Sequence, residues 1–394
     1  MFTHRIKLFS LFGFKVWIDA SWLLIGGLIA WTLADAVFPT DLPGLTAATY
    51  WSMGLAGAIG LLFSIVFHET AHSVVARHFG IEMRGITLFV FGGVAEMPGE
   101  PGSPHAEFLM ALAGPVSSLL LAVALFAVSG LIETLDGPQT VTTVVGYVAL
   151  LNAVLGIFNL APAFPLDGGR MLRAALWAWR QDIVRATRIA ARAGDVFGLL
   201  LIVLGVFAVL RGNLIGGVWQ LLIGMFIRTA AAASFQHTMT QRLLADVSVA
   251  QVMTPNPVAV PPDVTITRFI EDYIYRYHHR EFPVARRGTL VGRVGTKEIA
   301  AIDRHFWPGT KVVAAAQPIT PSDTIAPECG MLEAMAQLSS SQSSHLFVVS
   351  GDRLVGVVSR RDLMELLSAK LELSSDSAAA DRSWDGELGR RAVN

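Results

Sequence analysis

The chain has a single cysteine, Cys329, among its 394 residues. One cysteine excludes an intrachain disulfide and a cluster of thiolate ligands, so a metal ion would have to be bound by histidine and carboxylate side chains. Charged residues are also scarce, at 15% of the chain, and the formal net charge is -1. This charge balance gives no basis for nucleic-acid binding, and no nucleic-acid partner is predicted.

Apolar residues, by contrast, make up 53% of the chain. Such a composition is too apolar for a soluble protein of this length, so several membrane spans are predicted. Charged residues are sparse over 16–76 and 106–162, whereas 246–394 has the composition of a soluble domain. The sequence therefore predicts a membrane domain over 1–235, followed by a soluble domain.

Six apolar segments are long enough, or nearly long enough, to cross a bilayer. Lysine and arginine concentrate in the N-terminal segment and in the loops after the second and fourth apolar segments, which predicts a multi-pass protein of the cell membrane with both termini cytoplasmic. A signal peptide ending near Ala34-Asp35-Ala36 is an alternative interpretation of the first segment. Upstream of it, alternating apolar and polar residues are typical of a strand. The six segments are Val16–Phe38, Ala48–Phe79, Phe108–Ile132, Val141–Leu160, Val196–Leu210 and Leu214–Ala233, and the fifth, which is short, has an alternative start near Ile189.

The second apolar segment contains the letters HETAH at residues 68–72. On a helix, His68 and His72 lie one turn apart on the same face, so both imidazoles can bind one metal ion. Glu69 projects nearby, where its carboxylate can accept a proton from a water molecule that the metal activates. Because two histidines and a glutamate are costly in a membrane segment unless they serve a function, a chance occurrence is disfavoured.

A catalytic zinc ion requires a third protein ligand and one open position. The fourth apolar segment is followed by the letters NLAPAFPLDGGR at 159–170, in which Pro162 and Pro165 prevent a regular helix. Irregular backbone at membrane depth is tolerated where it lines protein or a wet cavity, so Asp167 is the candidate third ligand. The alternative interpretation is that Asp167 only caps the arginine-rich helix that follows.

A short β-hairpin is predicted over 86–97, with the chain reversing at Gly92-Gly93. Because the hairpin follows the segment with the two histidines, its exposed edge could pair with an unwound substrate. Gly92 and Gly93 are therefore candidate substrate-binding residues. The alternative is a membrane-associated hairpin with no role in binding.

The combination of HETAH in the second span, a glycine pair in the hairpin, AGP in the third span and NxxPxxxLDGG after the fourth resembles the site-2 protease family of intramembrane zinc metalloproteases. The resemblance covers about residues 1–235. It implies one zinc ion per chain, bound by His68, His72 and Asp167. It also implies that Glu69 is the general base and that Asn159 positions or polarises the scissile carbonyl.

The soluble half contains a repeat with a period of about 64 residues, since 281–294 matches 345–358. Each copy predicts a strand, a turn, a second strand and a helix. This half resembles a tandem pair of CBS domains, at about 246–306 and 311–370, together 246–370. Such pairs often associate side by side, which implies a possible homodimer. Residues 374–394 are rich in serine, alanine, aspartate and arginine, and a disordered tail is predicted there.

The letters GVVSRRD at 356–362 match the nucleotide-contacting segment of CBS domains. The resemblance implies that Asp362 contacts the ribose hydroxyls and Ser359 lies near the phosphate of ATP, ADP or AMP. The segment also opens a helix, whose N-terminal amides suit an anion. The first copy departs from this pattern, with Gly295 and Glu298 at the corresponding positions. Packing of the pair without a nucleotide is the alternative interpretation.

The predicted fold class is a polytopic α-helical membrane protein of about six spans with a small β-hairpin near the active site, followed by an α/β CBS pair. The resemblance implies hydrolysis of a peptide bond in or near a transmembrane segment of a signalling protein, such as an anti-sigma factor, with modulation by adenine nucleotide. The predicted partners are this substrate and the lipid bilayer. A CBS-regulated transporter or channel is one alternative, although no inverted repeat is evident among the spans. A catalytically inactive family member is another, and the intact Glu69 argues against it.

Overall fold

The structure is a computed structural model that describes residues 5–11, 14–81, 83, 85–89, 92–96, 101–341, 344–370 and 372–373. The chain divides into two compact units, here called the membrane unit, up to Gln236, and the repeat unit, from His237. The tail predicted at 374–394 and the end of the predicted hairpin at Met97 lie outside the described residues.

Six helical segments in the described part of the chain are long and apolar enough to cross a membrane. The first, Ala20–Asp41, consists of α1 (Ala20–Thr32), a π-helical turn at Leu33–Val37 and α2 (Phe38–Asp41). A further helix, α6 (Asp167–Arg180), lies between the fourth and fifth of these segments and is not apolar enough to be a candidate span. The remaining helices are α3 (Ala47–His78), α4 (Pro104–Thr134), α5 (Gln139–Asn159), α6 (Asp167–Arg180), α7 (Ile183–Leu210) and α8 (Leu214–Leu244).

Each predicted apolar segment corresponds to one of these spans, but several boundaries differ from the prediction. The first helix begins at Ala20 rather than Val16, because Asp19 caps it by accepting a hydrogen bond from the Ser21 backbone N–H at 3.0 Å. The fifth begins at Ile183, and the sixth continues to Leu244. Polar and charged residues lower the hydropathy of the extensions of the fifth and sixth spans, so hydropathy alone places these two boundaries too far inside.

A four-stranded sheet accompanies the helices of the membrane unit. The order is β1 (Arg5–Leu11), β2 (Phe14–Asp19), β3 (Gly85–Phe89) and β4 (Gly92–Glu96), with β2 and β3 parallel and the other pairs antiparallel. The predicted hairpin is therefore present, but Phe89 pairs with Gly92, so both glycines lie in β4 and not at the reversal. Within the described residues, β4 forms one edge of the sheet.

The segment between α5 and α6 is not helical, as its two prolines predict. Leu166 occupies the N-cap position of α6, and Asp167 is the first residue of the helix. Asp167 is thus not the N-cap, and its carboxylate remains available for other contacts. An acidic side chain in this first turn is also favourable to the helix dipole.

The repeat unit contains a sheet whose strands lie in the order β6 (Glu281–Arg286), β7 (Thr289–Gly295), β10 (Arg353–Ser359), β9 (His345–Ser350) and β8 (Thr324–Ile325), and β5 (Thr254–Pro255) pairs with β10. The β6–β7 hairpin is followed by α11, and the β9–β10 hairpin by helical residues at 360–370, so each copy has the predicted order of elements. Each copy also has its own hydrophobic core. The elements are β5 (Thr254–Pro255), α9 (Ile266–Phe269), α10 (Tyr275–Tyr277), β6 (Glu281–Arg286), β7 (Thr289–Gly295), α11 (Thr296–Ala300), α12 (Val312–Ala315), β8 (Thr324–Ile325), α13 (Met331–Ser340), β9 (His345–Ser350) and β10 (Arg353–Ser359).

Candidate metal centre

Three side chains that are distant in the sequence converge in the membrane unit: His68 and His72 of α3, and Asp167 of α6. The two Nε2 atoms are 3.1 Å apart. Asp167 Oδ2 lies 3.1 Å from His68 Nε2 and 3.3 Å from His72 Nε2. All three residues are buried. The one-turn spacing in α3 presents both imidazoles on one face, and the break before α6 brings the carboxylate to that face.

The arrangement of these three atoms fits a tetrahedral zinc ion. In a tetrahedron with metal–ligand bonds of about 2.0–2.1 Å, neighbouring ligand atoms are about 3.3 Å apart, which is close to the separations between the two imidazoles and the carboxylate. Two imidazole nitrogens and one carboxylate oxygen are also a donor set of catalytic zinc sites, which keep a fourth position for water or substrate.

Residues of α4 provide a hydrogen-bond partner for the Nδ1 atom of each histidine. His72 Nδ1 donates a hydrogen bond of 2.6 Å to the Met110 carbonyl oxygen, and His68 Nδ1 lies 2.9 Å from Ser118 Oγ. Because a carbonyl oxygen can only accept, the Met110 contact places the proton of neutral His72 on Nδ1 and leaves the Nε2 lone pair free. With its proton on Nδ1, His72 presents an Nε2 lone pair 3.3 Å from Asp167 Oδ2, and a cation between these two acceptor atoms would relieve their repulsion, which is the second reason that the site fits a metal ion.

Gly114 makes room for the ligands on the same face of α4. A Cβ atom at this position would lie 2.2 Å from His72 Nε2 and 2.6 Å from His68 Nε2. Both distances are far below van der Waals contact, so no other residue fits there without displacing the imidazoles. The close approach of α3 and α4 therefore depends on the absence of a side chain at residue 114.

A cavity of about 650 Å³ joins the three candidate ligands to Glu69, Gly92, Gly93 and Asn159, which also line it. Glu69 is half-buried, and a Cβ atom at residue 93 would lie 2.5 Å from Glu69 Cγ. Gly93 thus lets β4 approach the glutamate closely. Gly92 has a φ of 131°, a conformation that L side chains rarely adopt. The structure therefore brings all the predicted site residues of the membrane unit into one cavity.

Asn159 is the last residue of α5, at the cavity wall. Its Nδ2 donates a hydrogen bond of 3.0 Å to the Leu155 carbonyl oxygen of the same helix. An asparagine amide offers two donor hydrogens and an acceptor oxygen, and this bond uses one of the hydrogens. The group is therefore held in place and retains capacity for a further hydrogen bond.

Ser359 and Asp362 meet at the start of the helix at 360–370 in the repeat unit. Asp362 Oδ2 accepts hydrogen bonds from the Ser359 backbone N–H at 2.8 Å and from Ser359 Oγ at 2.9 Å. In the first copy, Glu298 Oε2 accepts a hydrogen bond of 3.0 Å from the Gly295 backbone N–H. Both acids therefore cap a helix, at equivalent positions of the two copies.

The sequence analysis did not identify the side of α4 that contacts the two histidines, or the ion pair between Glu107 on that side and Arg173 of α6. Glu107 has no exposed surface, and Arg173 is 4% exposed. Arg173 Nε donates a hydrogen bond of 2.6 Å to Glu107 Oε1. The available signal was two polar residues and a glycine on one face of an apolar helix. These residues are Glu107, Gly114 and Ser118.

Both halves of the chain are similar to known proteins. The model of peptidase family M50 matches residues 56–137 and 132–204, and the CBS domain model matches 249–304 and 313–369. The Mycobacterium tuberculosis protein Rip3, whose name describes it as a zinc metalloprotease, is 38% identical over 92% of this chain and 92% of its own length. The Synechocystis protein sll0528, named in the same way, is 32% identical over 93% of this chain and 96% of its own length. A solved structure of a site-2 protease from Methanocaldococcus jannaschii has 28% sequence identity and a TM-score of 0.42, and the alignment covers 59% of this chain and 95% of that chain.

Proposed function

This chain belongs to peptidase family M50 as a site-2-type zinc metalloprotease with a CBS domain pair, and we propose that it hydrolyses a peptide bond in or near a transmembrane segment of a membrane-bound signalling protein. The observation that carries the proposal is the convergence of His68, His72 and Asp167 beside a cavity among membrane-spanning helices. A substrate that reaches such a cavity through the bilayer is itself a membrane protein. An anti-sigma factor is one signalling protein of this kind.

The proposed mechanism assigns one task to each side chain of the cavity. When bound, zinc would supply Lewis-acid chemistry that makes a water molecule nucleophilic near neutral pH and polarises a carbonyl group. His68, His72 and Asp167 hold the ion. The Glu69 carboxylate accepts the proton of the attacking water and delivers it to the leaving amide nitrogen. The Asn159 amide donates a hydrogen bond to the scissile carbonyl oxygen as negative charge develops there.

Strand β4 is proposed to hold the substrate in an extended conformation. A peptide bond within a membrane helix is sheltered by the hydrogen bonds of that helix, so the substrate must unwind before it is cut. An edge strand offers backbone hydrogen bonds to an extended segment. Gly92 and Gly93 belong to such an edge and line the cavity beside Glu69, which supports this role.

The remaining proposals concern orientation, domains and regulation. From the distribution of lysine and arginine, both termini are proposed to be cytoplasmic. The protease domain is proposed to cover 1–235 and the CBS pair 246–370, and two chains are proposed to associate through their CBS pairs. Adenine nucleotide is proposed to bind at Ser359 and Asp362.

The proteolytic function is tested with a single-span membrane protein co-expressed with this chain, its span containing helix-destabilising residues. Wild type is expected to cleave this substrate. With both proteins purified in detergent, a chelator is expected to stop cleavage, and added zinc is expected to restore it. His72→Ala is expected to abolish cleavage, because two protein ligands do not hold a catalytic zinc ion. His78→Ala is the matched control, since His78 is exposed at the end of the same helix and is expected to leave cleavage unchanged. Undiminished cleavage by His72→Ala would refute the proposed mechanism.

Asp362→Ala is expected to weaken the binding of AMP or ATP to the purified full-length chain by roughly 10-fold or more, because hydrogen bonds to a charged group contribute about 1.5–3 kcal/mol. Isothermal calorimetry measures this change. Glu298→Ala is the control, since it removes a helix cap at the equivalent position of the other copy. Equal nucleotide affinity in the two variants, or no binding by wild type, would count against a nucleotide site at Asp362.

A further inference from the structure

A buried ion pair connects α4 with α6. Glu107 has no exposed surface and Arg173 is 4% exposed. Arg173 Nε lies 2.6 Å from Glu107 Oε1, and Arg173 Nη2 contacts the same oxygen. Buried charges in a membrane protein are costly and are usually retained for a function. The proposed mechanism assigns no task to either residue.

On α4, Glu107 lies at one end of the face that supports the histidines. Met110, whose carbonyl accepts the His72 hydrogen bond, follows one turn later. Gly114 and Ser118 follow at intervals of four residues. These spacings put all four on one side of the helix. The ion pair at Glu107 therefore helps to set the position of every α4 contact with the imidazoles.

On α6, Arg173 lies on the same continuous helix as Asp167, whose carboxylate is the third candidate ligand. The Arg173 guanidinium also lies over the ring of Phe164, 5.2 Å from its centroid. Phe164 is buried in the non-helical segment that leads into Asp167. One guanidinium thus contacts α4, through Glu107, and the segment that precedes the aspartate ligand.

We propose that Glu107 and Arg173 are positioning residues of the metal centre, since their ion pair sets the placement of α4 relative to α6. Helix α4 orients the two imidazoles, and α6 supplies the Asp167 carboxylate. The planar guanidinium fork presents its donors in a fixed geometry, which an ammonium group does not reproduce. The proposal rests on the proposed function, because it presupposes that the three side chains hold zinc.

The chain contains a suitable comparison pair. Arg228 Nε lies 2.7 Å from Asp195 Oδ1, with 42% and 53% of the two side chains exposed. This pair joins α8 to α7, and its hydrogen bond involves none of the residues that support the ligands. Like the buried pair, it joins an arginine to a carboxylate, but an exposed ion pair contributes little to the stability of the fold.

The test uses the full-length chain purified in detergent. Glu107→Gln and Arg173→Lys each alter one partner, and the double variant Glu107→Gln with Arg173→Gln leaves no unpaired buried charge, so it is the variant best able to fold. Zinc affinity is measured by competition with a chelator, and the absorption spectrum of the cobalt-substituted protein reports the ligand geometry. Arg228→Gln is the control.

The double variant is expected to bind zinc about 10- to 100-fold more weakly than wild type, the usual effect of removing groups that orient metal ligands. Its cobalt spectrum is expected to change, while that of Arg228→Gln stays as in wild type. With a cleavable substrate, kcat is expected to fall and KM to remain unchanged. Wild-type zinc affinity and an unaltered cobalt spectrum in the double variant would overturn the proposal. Absence of zinc binding by wild type would instead overturn the proposed zinc site.

Discussion

Replacing Glu69 by glutamine is expected to reduce the rate of peptide-bond cleavage by about 10²- to 10⁴-fold, the usual contribution of a positioned general acid–base group. Glutamine has nearly the same shape as glutamate but cannot accept the proton of the attacking water. Glu69 is not among the three converging ligands, so the variant is expected to retain one zinc ion per chain. Cleavage of a single-span substrate by purified protein, with zinc content measured on the same sample, separates the two effects.

The matched control is Glu133→Gln, which makes the same chemical change at an exposed residue near the end of α4. It is expected to cleave at the wild-type rate. A Glu69→Gln protein that cleaved as fast as wild type would show that another group accepts the proton. A Glu69→Gln protein that had lost its zinc would show that Glu69 acts on metal binding.

Gly114→Ala is expected to remove zinc and cleavage together. The added Cβ atom would lie 2.2 Å from His72 Nε2 and 2.6 Å from His68 Nε2, so the imidazoles and the new methyl group cannot occupy their positions at once. Helix propensity works in the opposite direction, because alanine is more favourable than glycine within a helix by up to about 1 kcal/mol. A loss of zinc would therefore report the steric conflict and not a weaker helix.

Gly130→Ala provides the control in the same helix. A Cβ atom at residue 130 has no neighbouring atom within 4 Å, so this variant is expected to retain zinc and activity. Zinc analysis and thermal unfolding of the two variants compare the local conflict with any change in fold. Full zinc occupancy in Gly114→Ala would contradict the placement of α4 against the two histidines.

The shared face of the two histidines and the helix break before Asp167 were predictable because local rules determine them, whereas the pairing of Asp167 with the histidines was predicted from the irregular backbone before it and from the family resemblance. The four-residue spacing of His68 and His72 presents both side chains on one face of any α-helix. The two prolines before Asp167 interrupt the helix wherever the segment lies in the fold. The structure places Asp167 Oδ2 within 3.3 Å of both imidazole nitrogens.

The supporting residues were not predictable in the same way, since their contacts depend on how helices pack. Nothing local to Glu107 indicates that Arg173 is its partner, or that the Met110 carbonyl accepts a hydrogen bond from His72. Tertiary packing also explains why the reversal of the hairpin was predicted at the wrong residues. A glycine pair usually marks a tight turn. Here Gly92 adopts a positive φ at the start of β4, and Gly93 allows the approach to Glu69.

The most direct test of the central claim, that two distant motifs form one zinc site, is the zinc content per chain of purified wild type and of Asp167→Ala. Wild type is expected to contain about one zinc ion and Asp167→Ala clearly less, because a catalytic zinc ion needs three protein ligands. Asp41→Ala, at an exposed aspartate of the same unit, is expected to match wild type. Equal zinc content in wild type and Asp167→Ala, or none in wild type, would contradict the site formed by His68, His72 and Asp167.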